Sequence, residues 1–175
     1  MRSIKAFLIG LIALFAIVTL ISLVIPSDVK QSHAVIINST TGKIYTQIGN
    51  LKNWKNWQPI FASDSSAITF SDSKTGSNAN CAITYKNRQI NITTTAIDST
   101  SIKFILQSKG EDDIENEIII TPVNAQNSVR VEWRALTKLH WYPWEKFCGI
   151  FIDRMTGPEY DESLNNLKKF VETQH

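Results

Sequence analysis

The chain opens on an almost unbroken apolar run. Residues 6–25, AFLIGLIALFAIVTLISLVI, are interrupted only by the mildly polar Thr19 and Ser22. At about 1.5 Å per residue, a helix of this length covers roughly 30 Å, one hydrocarbon core. A cleaved signal peptide is the alternative, but its apolar core is roughly 7–15 residues long and ends at a small-x-small site. The following SLVIPSD offers no convincing one. A retained single-pass anchor is expected over residues 1–31, with PSDVKQS, 26–32, as a short polar stalk. Arg2 and Lys5 precede the run, whereas Asp28 and Lys30 cancel after it. The positive-inside tendency then places the N-terminus in the cytoplasm and everything after Pro26 on the outer, periplasmic or extracytoplasmic face.

Past the stalk the periodicity changes. HAVIIN, 33–38, is a β-branched run that reads as a strand. Ser39, Thr40 and Thr41 offer N-caps to a helix whose apolar positions are Ile44, Tyr45, Ile48 and Leu51. Trp54 and Trp57 follow, and Pro59 ends any helical turn that carries them. From 67 to 137 short Ile/Thr/Val-rich runs alternate with the turn segments SDSKTGSN, KNR, DSTS, SKGEDD and VNAQNS, the pattern of an antiparallel meander. Alternation assigns inner faces to Cys81, Ile83 and Tyr85; to Ile90, Ile92, Thr94 and Ala96; and to Ile102, Phe104 and Leu106. The last two strands contribute Ile114, Ile118 and Ile120, then Val129, Val131, Trp133 and Ala135, with charged residues opposite. LHWYPWEKF makes a corner at Pro143. Tyr160, Leu164, Leu167 and Val171 then form one apolar helical stripe, and Gly157-Pro158 predicts a kink or a fresh helix start. A sheet that is apolar on one face needs a cover, and this C-terminal helix is the element long enough to give one. A sheet wrapped round a helix often leaves a pocket.

Charge narrows the function. Removing residues 1–31 takes away three of the 18 basic and one of the 16 acidic residues, leaving 15 of each. That neutral remainder lacks the basic stripe of a nucleic-acid binder, and the acidic segment EDDIENE, 111–117, reads as a solvated turn entering a strand. Cys81 and Cys148 lie far apart without a partner motif. Two buried free thiols are expected, with a disulfide open on the outer face.

The residues between 33 and 60, HAVIINSTTGKIYTQIGNLKNWKNWQPI, resemble the opening of membrane-anchored bacterial members of the SRPBCC superfamily, START-like or polyketide cyclase/dehydrase-like proteins. In that family a strand ending in Ile-Asn leads to a capped helix and then to Asn-Trp-x-x-Trp-x-Pro, filled here by Asn53, Trp54, Trp57 and Pro59. The segment 157–172, GPEYDESLNNLKKFVE, is similar to the family's closing helix. Two features depart from the family: Thr40 and Thr41 stand where many relatives have prolines before the first helix, and Pro158 is unusual beside the glycine. The resemblance covers nearly all of 32–174. It implies an α+β helix-grip fold for 32–175: a curved antiparallel sheet of about six to seven strands around a long C-terminal helix and an apolar cavity.

Catalytic chemistry finds little support. His33, His140 and His175 have no carboxylate at metal-ligand spacing, so no metal is expected, and no phosphate-binding loop or nucleophile elbow is present, so no cofactor is either. Asp98, Asp153 and Glu145 are formal candidates for a general base, but a turn or a wetted helix face suits each better. No catalytic residue is assigned. Trp57, Tyr85, Thr94, Phe104, Trp133 and Trp141 are the candidate ligand contacts, as wall or roof of a pocket with a few polar groups; core filling is the other reading of the same rings. Trp54 and Trp57 are expected to close one end of the cavity. The leading expectation is an anchored, non-enzymatic domain that binds a hydrophobic small molecule or lipid. A polyketide cyclase-like enzyme working by proton transfer and a partner-binding module remain as alternatives.

Overall fold

In the computed structural model, which describes residues 2–63, 67–71, 78–85, 88–123 and 128–173, the apolar run forms helix α1, Arg2–Val24. Its stretch Ser3–Val24 is long and apolar enough to cross a membrane, and little of it is buried against the rest of the chain. Strand β1, Asp28–Asn38, begins after three intervening residues. Most of the expected stalk is therefore strand, with Asp28–Gln31 paired to Lys138, Thr137, Leu136 and Ala135. Polar Asp28 and Lys30 face outward while Val29 and Gln31 extend the inward phase of His33, Val35 and Ile37.

Helix α2, Thr41–Ile48, is capped by Thr40, whose side chain accepts from Lys43 N. A 3-10 helix, Leu51–Asn56, carries Trp54, and helix α3, Pro59–Ala62, follows it. Pro59 opens α3, where its missing N–H leaves no helical bond unmade. Strands β2 (Ala67–Phe70), β3 (Asn80–Tyr85), β4 (Arg88–Ile97), β5 (Ser101–Ser108), β6 (Ile114–Val123) and β7 (Ser128–Lys138) form an antiparallel meander. β1 joins beyond β7, so the order is β1-β7-β6-β5-β4-β3-β2, seven strands among the described residues. Residues 72–77, 86–87 and 124–127 of the expected turns, and His175, lie outside the described residues. One inner-face expectation is corrected: the β4–β5 register shifts between Thr94 and Ala96, and this bulge turns Ala96 outward and lets Ile97 pack on the core.

After β7 come α4, Pro143–Gly149, and α5, Ile152–Thr173. α5 runs through Gly157 and Pro158 as one helix, so no second helix starts at the proline. Burial of Leu164, Leu167 and Val171 with partly buried Tyr160 against the sheet holds it there, against the ~3 kcal/mol a mid-helix proline costs. α5 tracks β1 in the same direction. Gln31 Nε2 donates to Thr156 Oγ1 (2.9 Å), His33 Nδ1 lies 2.9 Å from Asp161 Oδ1, and Asn38 N donates to Glu172 Oε1 (2.8 Å). The cysteines differ from expectation in one respect. Both are free, but only Cys81 is buried, its thiol pushed up to about 12 by desolvation. Cys148 is exposed because α4 turns Pro143, Lys146 and Gly149 inward instead.

Candidate functional site

The site is built on how α2 ends. The last four carbonyls of a helix have no partner within it. Here Tyr45 O accepts from Gly49 N (2.8 Å), Thr46 O from Asn53 Nδ2 (2.8 Å), Gln47 O from Trp57 Nε1 (3.4 Å) and Ile48 O from Trp54 Nε1 (2.9 Å). The Asn-Trp-x-x-Trp pattern is thus a C-terminal cap made of side chains. Capping fixes both indoles, and their rings become the floor of the core.

Trp54 lies at the centre of an aromatic cluster. Its ring centroid is 5.2 Å from Trp57, 5.6 Å from Phe61, 5.0 Å from Phe104 and 6.4 Å from Trp133. These tilted and edge-on geometries suit the ring quadrupoles, each pair adding about 0.5–1.5 kcal/mol beyond burial. Trp133 is oriented by a buried amide: its Nε1 donates to Asn116 Oδ1 (2.9 Å), while Asn116 Nδ2 donates to Ile114 O (2.9 Å). Asn116 is not among the residues the sequence pattern singles out. The available signal was a polar residue in the inward phase of β6, opposite Phe104 and Ala135. Tyr160 of α5 stands edge-on to Trp133 at 5.1 Å and stacks on His33 at 5.5 Å.

Between this cluster, α3, α5 and strands β3 to β5 lies a cavity of about 340 Å³. Its wall is mostly apolar, with Ile83, Ile90, Ile92 and Leu106 from the sheet facing Pro59 and Ile60 of α3. The polar groups are the Ser163 hydroxyl, hydrogen-bonded to the Gln58 side chain (2.6 Å), Ser63, the phenols of Tyr85 and Tyr160, and Glu159 and Glu162 on α5. Burial pushes the Tyr160 phenol up to about 12, so it stays protonated at neutral pH. The volume sits near the lower end of the ~300–1,000 Å³ of small-molecule sites.

Of the six candidate ligand contacts, the structure places Tyr85, Phe104 and Trp133 on the cavity wall. Trp54, expected as a closing wedge, also lends it an edge. The other three stand elsewhere. Trp57 is buried beside Trp54 with its N–H committed to Gln47. Thr94 is fully buried at the bulge, and its Oγ1 has no hydrogen-bond partner among the described residues. Trp141, expected at the roof, is 61% exposed on the segment between β7 and α4, because the chain turns outward at this corner.

The formal base candidates are engaged away from the cavity. Asp98 accepts from the backbone and hydroxyls of Thr100 and Ser101 in the β4–β5 turn, which holds its carboxyl at about 2. Asp153 faces His33 Nε2 at 3.2 Å. Glu145 lies with Asp112 around His140 Nδ1, each at 3.3 Å, and these carboxylates raise the imidazole above its ordinary value, the Glu145 contact most. The outer face of the sheet carries ion pairs instead, Lys103–Glu117 at 3.4 Å, Arg134–Glu132 at 2.7 Å and Lys138–Glu115 at 2.7 Å. A wider depression of about 610 Å³ is bordered by several of these same charges.

No protein-family model and no curated protein sequence matches the chain. Solved structures do match it in shape. XoxI from Bacillus cereus aligns with a TM-score of 0.61 at 14% identity, covering 83% of this chain and 98% of that one. CV1439 from Chromobacterium violaceum aligns at 0.59 and 8%, covering 83% and 99%. Truncated norcoclaurine synthase from Thalictrum flavum aligns at 0.61 and 13%, covering 85% and 95%. At these identities the likeness is one of fold. It defines the class: an α+β helix-grip fold, an open seven-stranded antiparallel sheet held against a long C-terminal helix, preceded here by an apolar helix.

Proposed function

We propose that the chain is a membrane-anchored domain that takes up a small apolar molecule, or a single lipid chain, in the cavity between sheet and α5. The observation that carries this reading is the cavity: about 340 Å³ of mostly apolar space beside an otherwise filled aromatic core. Its volume suits a compact ring system or one acyl chain rather than a two-chain lipid. In this reading α1 spans the bilayer, with the N-terminus in the cytoplasm and the domain on the outer face. Its supports are the length and hydropathy of Ser3–Val24 and the basic residues ahead of it.

Native mass spectrometry of the full-length chain released from detergent micelles tests the reading. One apolar adduct per chain is expected, and Ile90→Trp, which fills the cavity from its wall, should abolish it. Identical adducts on both proteins would place any bound molecule outside the cavity and overturn the reading.

Proton-transfer chemistry on an apolar substrate is the second reading. It is favoured by Glu159, Tyr160 and Glu162 bordering the cavity. Both carboxylates are exposed, which suits a solvated mouth better than a positioned base. Turnover of a bound ligand that vanishes in Glu159→Gln or Glu162→Gln, with the adduct retained, would establish this second reading in place of simple binding.

A further inference from the structure

We infer that the segment from Trp141 to Met155 is a second membrane contact, an aromatic and aliphatic surface that seats the domain in the lipid interface beside α1. Outside α1, every large apolar side chain exposed among the described residues, apart from Ile36 and Val123, falls in this stretch. Trp141 is 61% exposed, Trp144 62%, Ile150 59%, Phe151 55% and Met155 73%. Tyr142 joins them, stacked on Trp144 at 5.0 Å and tilted against Trp141 at 5.1 Å. The rings pack on one another at the surface, although the core a few residues away is built of the same residue types.

The occupant follows from what the segment is fixed to. α4 packs against the end of α1: the nearly buried Lys146 donates from Nζ to Ile25 O (3.0 Å) and to Ser27 Oγ, and Leu139 N donates to Ser27 O (2.7 Å). A Cβ at Gly149 would collide with Leu139 and come within 3.3 Å of Val29, so α4 sits tight on the start of β1. With α1 across a bilayer, its last turn marks the headgroup region, and the Trp141–Met155 surface is held beside that level. Indole and phenol rings have an apolar body and a polar edge, and they concentrate at this depth. Within the segment Lys146 and Arg154 are matched by Glu145 and Asp153, and Asp112 and His140 adjoin it, so no basic cluster forms and the fitting lipid is zwitterionic rather than anionic.

The inference rests on reading α1 as a span, and the test separates the two. Full-length protein is reconstituted in phosphatidylcholine vesicles carrying bromine on one acyl chain, with unbrominated vesicles as reference. Trp54, Trp57 and Trp133 are 1–2% exposed. Lipid bromine should therefore quench up to the share of two of the five tryptophans, and Trp141→Phe/Trp144→Phe should remove that quenching while aqueous acrylamide quenches little in either protein. Alkaline carbonate washing reports on α1 independently. A chain that resists the wash, escapes bromine and is quenched by acrylamide overturns the seating surface and leaves the span intact. Resistance to both quenchers also overturns it, in favour of a second copy or another protein covering the patch. Release by carbonate without bromine quenching overturns the span and the seating surface together. Release with bromine quenching that the double variant removes supports the surface and overturns the span.

Discussion

Two indole nitrogens decide how α2 ends and where the core begins. Trp54→Phe keeps a ring in place but leaves the buried Ile48 carbonyl without its 2.9 Å partner, and a group orphaned in this way costs about 1–3 kcal/mol. Trp57→Phe gives up a 3.4 Å bond and should cost clearly less. Urea unfolding of the two variants measures both; equal losses would mean that ring volume, not capping, is what the pair contributes. The aromatic positions were legible in the sequence at this scale, but their partners were not. An indole beside a lysine and an asparagine carries no mark of the carbonyl it will meet. Asn116 shows the reverse case: its partner, Trp133, is invisible in sequence, whereas its own place in an apolar phase marks it as an inward amide.

Elements meet through fitted surfaces, as β1 and α5 do. The His33 ring lies over Gly157 with its nitrogens toward Asp153 and Asp161, and a Cβ on that glycine would stand 3.0 Å from His33 Cε1. Gly157→Ala should cost about 1–3 kcal/mol in overpacking, only partly offset by the about 1 kcal/mol that alanine gains over glycine in a helix, so a net loss of up to about 2 kcal/mol is expected. In a His33→Ala background the same change should turn neutral or stabilising, since alanine favours helix over glycine by about 1 kcal/mol. A double-mutant cycle in denaturant reads the coupling, and additive effects would show that the two residues do not press on each other. The β4–β5 turn is held by Asp98, whose four donors depress its carboxyl to about 2. A folded value below the unfolded ~3.9 means the ionised form is favoured by folding. Its contribution is complete above that value and is lost as pH falls through about 2. The stability gap between the protein and Asp98→Asn should therefore shrink on acidification from about pH 5 to about pH 2; a constant gap would rule out the carboxylate as its source.

For the molecule as a whole, the period-2 alternation of the later strands and the stripe of α5 made sheet, helix and their facing sides readable. The start of β1 was not. Asp28, Lys30 and Gln31 look like solvent-loving linker residues, and Gln31 turns inward only because α5 presents Thr156 and Asp153 to it, at 2.9 and 3.3 Å. The cavity was legible as an expectation of a gripped helix, whereas its lining followed from which rings capping and packing had already claimed. A domain cut to begin at Ser32 loses the pairs from Asp28–Lys138 to Gln31–Ala135. It should melt below one beginning at Pro26, and equal melting temperatures by circular dichroism would show that the extra strand residues add nothing. Only Ile25, Pro26 and Ser27 separate α1 from β1, a leash of at most about 10 Å when extended. If the proposed reading holds and α1 lies in a bilayer, such a leash denies the domain any ferrying role across a gap: a ligand taken into its cavity would have to be collected on the spot, by an acceptor that travels to it.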